Sequence, residues 1–152
     1  MQVANWLVKC HSMFVHAIQH NLPRSTGNIS GDWLRLLRDL NDRKLMVQSA
    51  ILAEVGNQLT TWGFNWLEKD GSFHAGKLHD FVQRATSTSV EWLLDPRAHF
   101  PSTFEIGLAG GDDALTEMQI QDLVFKFVIN FIRYFTDRCQ FLYSPPYVFA
   151  AL

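Results

Sequence analysis

Apolar residues recur at steps of three and four along most of this chain, which is the period of an amphipathic helix and not of a strand. The clearest series is Trp6, Leu7, Cys10, Met13, Phe14, Ala17 and Ile18. The pattern predicts helices over residues 3–21, 32 to about 40, 45–59, 60–69, 73–94 and 114–135, with a short last helix up to 143. The segment 114–135 is apolar around most of its circumference, which is typical of a core helix.

Turn-forming residues separate the predicted helices. Asp95-Pro96 is predicted to end the helix over 73–94, and residues 97–113, which contain Pro101, Gly107 and Gly110-Gly111, are predicted to form a loose connection. Asp32 is predicted to cap the second helix, and Asp112-Asp113 to cap the helix that follows them. Because hairpin signals are scarce, we expect one all-α domain over residues 1–152, with about seven helices around a hydrophobic central helix.

Composition narrows the function without identifying it. The chain of 152 residues is long enough for a hydrophobic core that needs neither metal nor disulfides. Its formal net charge of -2 gives no electrostatic basis for binding nucleic acid or acidic lipid. No signal peptide or membrane-spanning segment is recognisable, so a soluble cytoplasmic protein without a membrane anchor is expected. Cys10 and Cys139 lie in apolar helical series, which favours buried thiols in a reducing compartment.

Histidines are the first candidates for chemistry. His16 and His20 are four residues apart and share a helix face, as paired metal ligands do. The other histidines, which could complete such a site, are His11, His74, His79 and His99. Neither the glutamate of a zinc-protease motif nor a Cys-x-x-Cys pair accompanies them. A helical metal-binding protein or small enzyme is therefore an alternative, while the main prediction is a protein with no enzymatic activity and no cofactor.

Aromatic residues cluster on both sides of Asp70-Gly71, a dipeptide that ends helices. The cluster comprises Trp62, Phe64, Trp66, Phe73 and Phe81. Such residues belong either to an ordinary core or to a groove for an amphipathic partner helix. A partner helix of this kind contacts the groove through its apolar residues at i, i+3, i+4 and i+7. In a groove, Lys77 is placed to meet an acidic residue of the partner, and Gly76 allows close approach of the partner backbone.

The segment WLEKDGSFHAGKLHDFV, residues 66–82, resembles the first homology motif of the Bcl-2 family. Asp70-Gly71 match the acidic-glycine turn of that motif. Gly76 matches its glycine, and Lys77 stands in place of its arginine. The resemblance implies that the helix starting near residue 73 corresponds to the family's central helix.

Other parts of the chain extend or limit the resemblance. His74 and Ala75 stand where the family has asparagine and tryptophan. Residues 34–43 are similar to a degenerate BH-3 motif, and residues 52–57 form a second window with the same leucine-to-glycine step. The helices also follow one another in an order that resembles the family's order.

The resemblance implies a Bcl-2-like helical bundle that inhibits apoptosis by sequestering BH-3 helices of pro-apoptotic proteins of the Bim, Bak or Bax type. Short versions without an anchor are similar to viral anti-apoptotic members, which implies action in the host cytoplasm without direct membrane insertion. The implied peptide-binding groove consists of Met46, Ile51, Val55, Leu59, Phe73, Gly76, Lys77, Leu78 and Phe81. A self-associating structural protein, with its aromatic surface buried in a homodimer, is the remaining alternative.

Overall fold

The part of the chain that the computed structural model describes, residues 2–21, 28–64 and 75–144, is almost entirely helical. The α-helices are α1 (Gln2–Asn21), α2 (Asn28–Asn41), α3 (Arg43–Leu59), α4 (Ala75–Leu94), α5 (Pro96–His99), α6 (Pro101–Leu108) and α7 (Glu117–Cys139). A π-helical turn, Thr60–Phe64, follows α3, and a 3-10 turn, Gln140–Tyr143, follows α7. The same ranges contain no strand, which confirms the all-α prediction. Within them, no helix has the stretch of apolar sequence that crossing a bilayer requires.

The structure corrects the prediction for residues 97–113. In place of a loose connection, this region contains most of α5 and all of α6, two short helices that begin at Pro96 and Pro101. Proline suits the first position of a helix, because its missing N–H needs no partner there. Asp95 caps α5 by accepting a hydrogen bond from the Ala98 N–H at 3.2 Å. The prediction treated both prolines only as helix breakers.

The starts of α2 and α3 also differ from the prediction. α2 begins at Asn28, so Asp32 lies inside the helix and does not cap it. α3 begins before the predicted position, because Asp42 Oδ1 accepts hydrogen bonds from the N–H groups of Lys44 at 2.9 Å and Leu45 at 3.2 Å. A side-chain acceptor of this kind satisfies backbone donors that have no partner within the helix.

α7 begins at Glu117 and not directly after Asp112-Asp113. The Gln119 N–H donates to Thr116 Oγ1 at 3.3 Å, while the Thr116 N–H donates to Gln119 Oε1 at 2.8 Å. This reciprocal pair is a capping box, which is formed by a threonine and a glutamine three residues apart. The predicted aspartate cap is therefore wrong, and the capping-box motif was present in the sequence.

The chain divides into two compact units, each made from two separate stretches. The first unit comprises Met1–Glu54 and Pro101–Ile120, and the second comprises Val55–Phe100 and Gln121–Leu152. Of the three boundaries, one falls inside α3, one between α5 and α6, and one inside α7. The single domain predicted over residues 1–152 remains a prediction.

In the first unit, α1 packs against α2 around a small apolar core. Its buried members are Ile18, Leu40 and Met46. Partly buried side chains that pack against them are Phe14, Val15, Trp33, Leu37 and Ile106. The members from α1 and α2 recur at three- and four-residue steps, so this core is formed by the apolar stripes predicted from the sequence.

In the second unit, aromatic rings form a continuous series of contacts. Trp92 is fully buried, and its ring centroid lies 5.8 Å from that of Phe100 and 6.0 Å from that of Phe131. Phe131 stacks on Phe135 at 5.5 Å, and Phe135 meets Phe81 edge to face at 5.9 Å. Because aromatic pairs contribute about 0.5–1.5 kcal/mol beyond the area they bury, this series is a main source of stability in the unit.

A hydrogen-bond relay satisfies the indole N–H of Trp92. Trp92 Nε1 donates to Gln58 Oε1 at 2.7 Å, and Gln58 Nε2 donates to the carbonyl oxygen of His99 at 2.8 Å. Gln58 lies near the end of α3, so its amide connects that helix to α4 and α5. A buried polar group without a partner costs about 1–3 kcal/mol, and the relay removes this cost for the indole.

The two cysteines are free and only partly buried, whereas the sequence favoured buried thiols. Cys139 packs against a buried cluster that includes Phe81, Val82 and Leu142. Burial raises the pKa of the Cys139 thiol, so this thiol stays protonated at neutral pH and is a poor nucleophile.

Gly107 occupies a tight position in α6. A Cβ atom added there would lie 2.5 Å from Ile120 Cδ1, 2.8 Å from Ile120 Cγ1 and 3.2 Å from Val47 Cγ2. Both neighbours are fully buried and cannot move aside freely. We therefore expect Gly107→Ala to lower the free energy of unfolding by about 1–3 kcal/mol, the usual cost of overpacking, although alanine favours helices. Urea denaturation of the two proteins measures this difference.

Gly31→Ala is the matched control for that substitution. Gly31 lies in α2, and an added Cβ atom there has no neighbour within 4 Å. This variant is expected to gain about 0.5–1 kcal/mol from helix propensity alone. Equal shifts of the same sign in both variants would show that packing at Gly107 is not the cause.

Candidate functional site

The residues of the predicted groove differ in how much surface they expose. The buried ones, each 7% exposed or less, are Met46, Ile51, Val55, Leu59 and Phe81. Gly76, Lys77 and Leu78 are partly exposed. Phe73 lies outside the described residues. The buried side chains are placed as core residues, so a partner helix has no direct access to them in this conformation.

Part of the predicted groove lies outside the described residues. Asp70-Gly71 and Trp66 lie outside the described residues. The helix predicted over 60–69 is a π-helical turn as far as Phe64. The groove as a whole therefore stays a prediction. Of its described residues, those in the first turn of α4 are the ones accessible to a partner.

That first turn carries a basic residue at an unfavourable position. Lys77 is near the start of α4, and the first turn of this helix contains no acidic residue. The N-terminus of a helix carries partial positive charge, so it favours anions and disfavours a lysine. In the following turn His79, Phe81 and Val82 are buried, whereas Asp80 is exposed. An acidic group brought to this turn would therefore be favoured by both Lys77 and the helix dipole.

The histidines do not converge on a metal site in the described parts of the chain. His16 and His20 are exposed on α1. Over residues 2–21, 28–64 and 75–144, no group of three or more His, Cys, Asp or Glu side chains is placed to hold a metal ion. His11 instead donates from Nε2 to the carbonyl oxygen of Leu40 at 2.7 Å. The geometry therefore gives no support to the metal-binding alternative.

Charged side chains from α3 hold both ends of α6. At the N-terminus of α6, the Glu54 carboxylate accepts hydrogen bonds from the N–H groups of Ser102 at 2.8 Å and Thr103 at 3.1 Å. The carboxylate also accepts the hydroxyl hydrogen of Thr103 at 2.6 Å. Thr103 is fully buried, so its hydroxyl depends on this partner. A carboxylate here both satisfies the first N–H groups and opposes the positive end of the helix.

Arg43 meets the opposite end of α6. Its Nη1 donates to the carbonyl oxygen of Ile106 at 3.3 Å. A cation near the last carbonyl groups of a helix is favoured by the helix dipole. Gly110 follows with a φ of +117°, and a Cβ atom there would lie 2.6 Å from Arg43 Nη2. Because Arg43 and Glu54 meet opposite ends of α6, this helix runs antiparallel to α3.

A cavity of about 640 Å³ lies beside Arg43 in the first unit. Small-molecule sites commonly measure about 300–1,000 Å³ and combine apolar walls with a few polar groups. Leu40, Met46 and Ile106 supply apolar wall. Arg43 and His11 supply polar groups. The cavity thus has the size and mixed lining of a small-molecule site.

Arg43 is incompletely satisfied at this cavity. Its Nε atom is shielded from solvent and has no hydrogen-bond partner in the described part of the chain. Glu105 and Asp113 line the same cavity and are exposed. Among the described residues, neither carboxylate forms an ion pair with Arg43. A partly buried guanidinium group usually binds a carboxylate or phosphate. A partly buried arginine without such a partner in the described chain is therefore unusual.

Comparison of this chain with protein-family models, with curated proteins and with solved structures found no match.

The sequence did not single out Arg43 or Glu54, because their partners lie far away along the chain. Pro101-Ser102-Thr103 was the available local signal, since it has the composition of a helix start.

Proposed function

We propose that the protein binds an amphipathic helix of the BH-3 type and so inhibits apoptosis in the cytoplasm. The observation that supports this proposal is the first turn of α4, where Gly76, Lys77 and Leu78 are partly exposed and are followed by the buried apolar side chains of Phe81 and Val82. The all-α fold agrees with the architecture that the Bcl-2 resemblance implies.

The binding step follows from the chemistry of this turn. An aspartate of the partner pairs with Lys77, and the helix dipole of α4 adds to the attraction. Gly76 has no side chain, so the partner backbone can approach closely. Lysine lacks the bidentate geometry of arginine, which makes this pair weaker and more sensitive to salt.

Full engagement of the partner's apolar residues requires a change in the groove. Since Val55, Leu59 and Phe81 are buried, they must become exposed before they can contact a partner. The apparent affinity is then the affinity of the open form multiplied by the fraction of molecules that are open, so a rarely open groove binds weakly. Hydrogen exchange along α4 therefore has to change when a BH-3 peptide binds.

Charge reversal at Lys77 tests the proposal. Lys77→Glu is expected to weaken binding of BH-3 peptides about tenfold, which corresponds to about 1.4 kcal/mol. The reason is that the partner's aspartate then meets a like charge. Isothermal titration calorimetry against a panel of BH-3 peptides measures the effect. Lys44→Glu is the control, because Lys44 is an exposed lysine of the first unit and lies outside the predicted groove.

Three outcomes would contradict the proposal. One is a parent protein that binds no peptide of the panel. Another is an equal loss of affinity in the Lys77→Glu and Lys44→Glu variants. The third is unchanged affinity after Gly76→Trp, since a bulky side chain there must block a close partner backbone. Sedimentation of the parent without peptide separately tests the homodimer alternative.

A further inference from the structure

We propose that the cavity beside Arg43 is a binding site for a small organic carboxylate with an apolar body. This inference is independent of the proposed helix-binding function. The cavity lies within the first unit, and none of its lining residues belongs to the first turn of α4.

The unsatisfied guanidinium of Arg43 selects the charge of the ligand. Of its N–H groups, only Nη1 has a hydrogen-bond partner in the described ranges, at 3.3 Å from the Ile106 carbonyl oxygen, and Nε is buried without one. A planar carboxylate matches the fork of N–H groups on a guanidinium and can bind it through two parallel hydrogen bonds. Because Nε is shielded from solvent, such a ligand would bind through the N–H groups of Nη1 and Nη2 that no described residue accepts.

The polar neighbour of Arg43 is already held in place. His11 Nε2 donates to the Leu40 carbonyl oxygen at 2.7 Å, which fixes the imidazole ring at the cavity wall. His11 therefore supplies a fixed polar group at the cavity wall.

The remaining lining excludes strongly charged ligands. Glu105 and Asp113 are exposed and line the same cavity, so they repel a polyanion such as a nucleotide or inorganic phosphate. A monocarboxylate carries a single negative charge, so Glu105 and Asp113 repel it less than they repel a polyanion, and its attraction to Arg43 opposes that repulsion. Leu40, Met46 and Ile106 meanwhile offer apolar wall to a hydrocarbon or aromatic body. Together these groups select an apolar monocarboxylate.

Four probes of differing charge and shape, the last of them inorganic phosphate, separate the possibilities. Indole-3-propionate and decanoate carry a carboxylate on an apolar body. Tryptamine has the indole ring of indole-3-propionate but carries an ammonium group in place of the carboxylate. We expect the two carboxylates to bind the full chain saturably in calorimetry and to raise its melting temperature. Tryptamine and inorganic phosphate are expected to give no saturable signal. Failure of both carboxylates, or equal binding of tryptamine, would overturn the assignment.

Two pairs of variants locate the site. Arg43→Gln is expected to reduce carboxylate affinity at least tenfold, while Arg38→Gln, at an exposed arginine outside the cavity, leaves it unchanged. Arg43 also contacts α6, so Ala109→Phe provides a second test that keeps the arginine and fills the cavity. Leu108→Phe adds similar bulk next to it, at a residue that does not line the cavity. Retained affinity in both Arg43→Gln and Ala109→Phe would place the ligand elsewhere.

Discussion

Replacing Trp92 with alanine is expected to lower the free energy of unfolding by about 3–5 kcal/mol, the largest effect of any single change considered. The indole is fully buried and contacts the rings of Phe100 and Phe131. Its removal leaves a large cavity and also deprives Gln58 Oε1 of its donor. Chemical denaturation followed by circular dichroism measures the loss.

Two variants of the same helix control this experiment. Trp92→Phe keeps an aromatic ring but removes the hydrogen bond to Gln58, so it should lose less stability than the alanine variant. Val90→Ala changes a side chain of α4 that is 47% exposed and should shift stability by less than about 0.5 kcal/mol. A Trp92→Ala protein as stable as Val90→Ala would mean that the aromatic series does not support the second unit.

Glu54→Ala is the second large effect, with an expected loss of about 2–4 kcal/mol. The substitution removes the acceptor for the N–H groups of Ser102 and Thr103 and for the buried Thr103 hydroxyl. No other carboxylate is placed to replace it at the N-terminus of α6 in the described chain, so the helix should fray. Urea denaturation measures the loss, and hydrogen exchange at the amides of residues 102 and 103 locates it.

Glu105→Ala is the matched control for Glu54→Ala. Glu105 is an exposed glutamate within α6 and takes no part in the contacts with Glu54. Its removal should change stability by less than about 0.5 kcal/mol. Fast exchange at residues 102 and 103 in the control, or unchanged exchange in Glu54→Ala, would disprove the role of the Glu54 carboxylate.

The sequence predicted those parts of the fold that depend on local periodicity. The apolar spacing on α1 and α2 predicted both the helices and the faces that form the first core. Predictions failed where one residue type can either end a helix or begin one. Pro96 and Pro101 follow one helix and begin the next one, and the composition of residues 96–113 alone does not distinguish these roles.

The candidate sites were harder to predict, because they depend on contacts between distant parts of the chain. No residue pattern near Glu54 predicts that its carboxylate accepts hydrogen bonds from Ser102 and Thr103, which lie 48 and 49 residues further along the chain. Arg43 likewise meets a carbonyl oxygen 63 residues further on. The predicted groove had the opposite difficulty, since aromatic and aliphatic residues at helical spacing line a groove and fill a core equally well.

The left-handed backbone at Gly110 has a consequence for how this sequence can diverge. A side chain at that position meets two separate obstacles, the φ of +117° and the Arg43 guanidinium 2.6 Å from the nearest added carbon. Loss of the arginine during evolution would remove only the steric obstacle, whereas the dihedral obstacle would persist. Relatives of this chain are therefore expected to keep glycine at 110 even where position 43 is not an arginine.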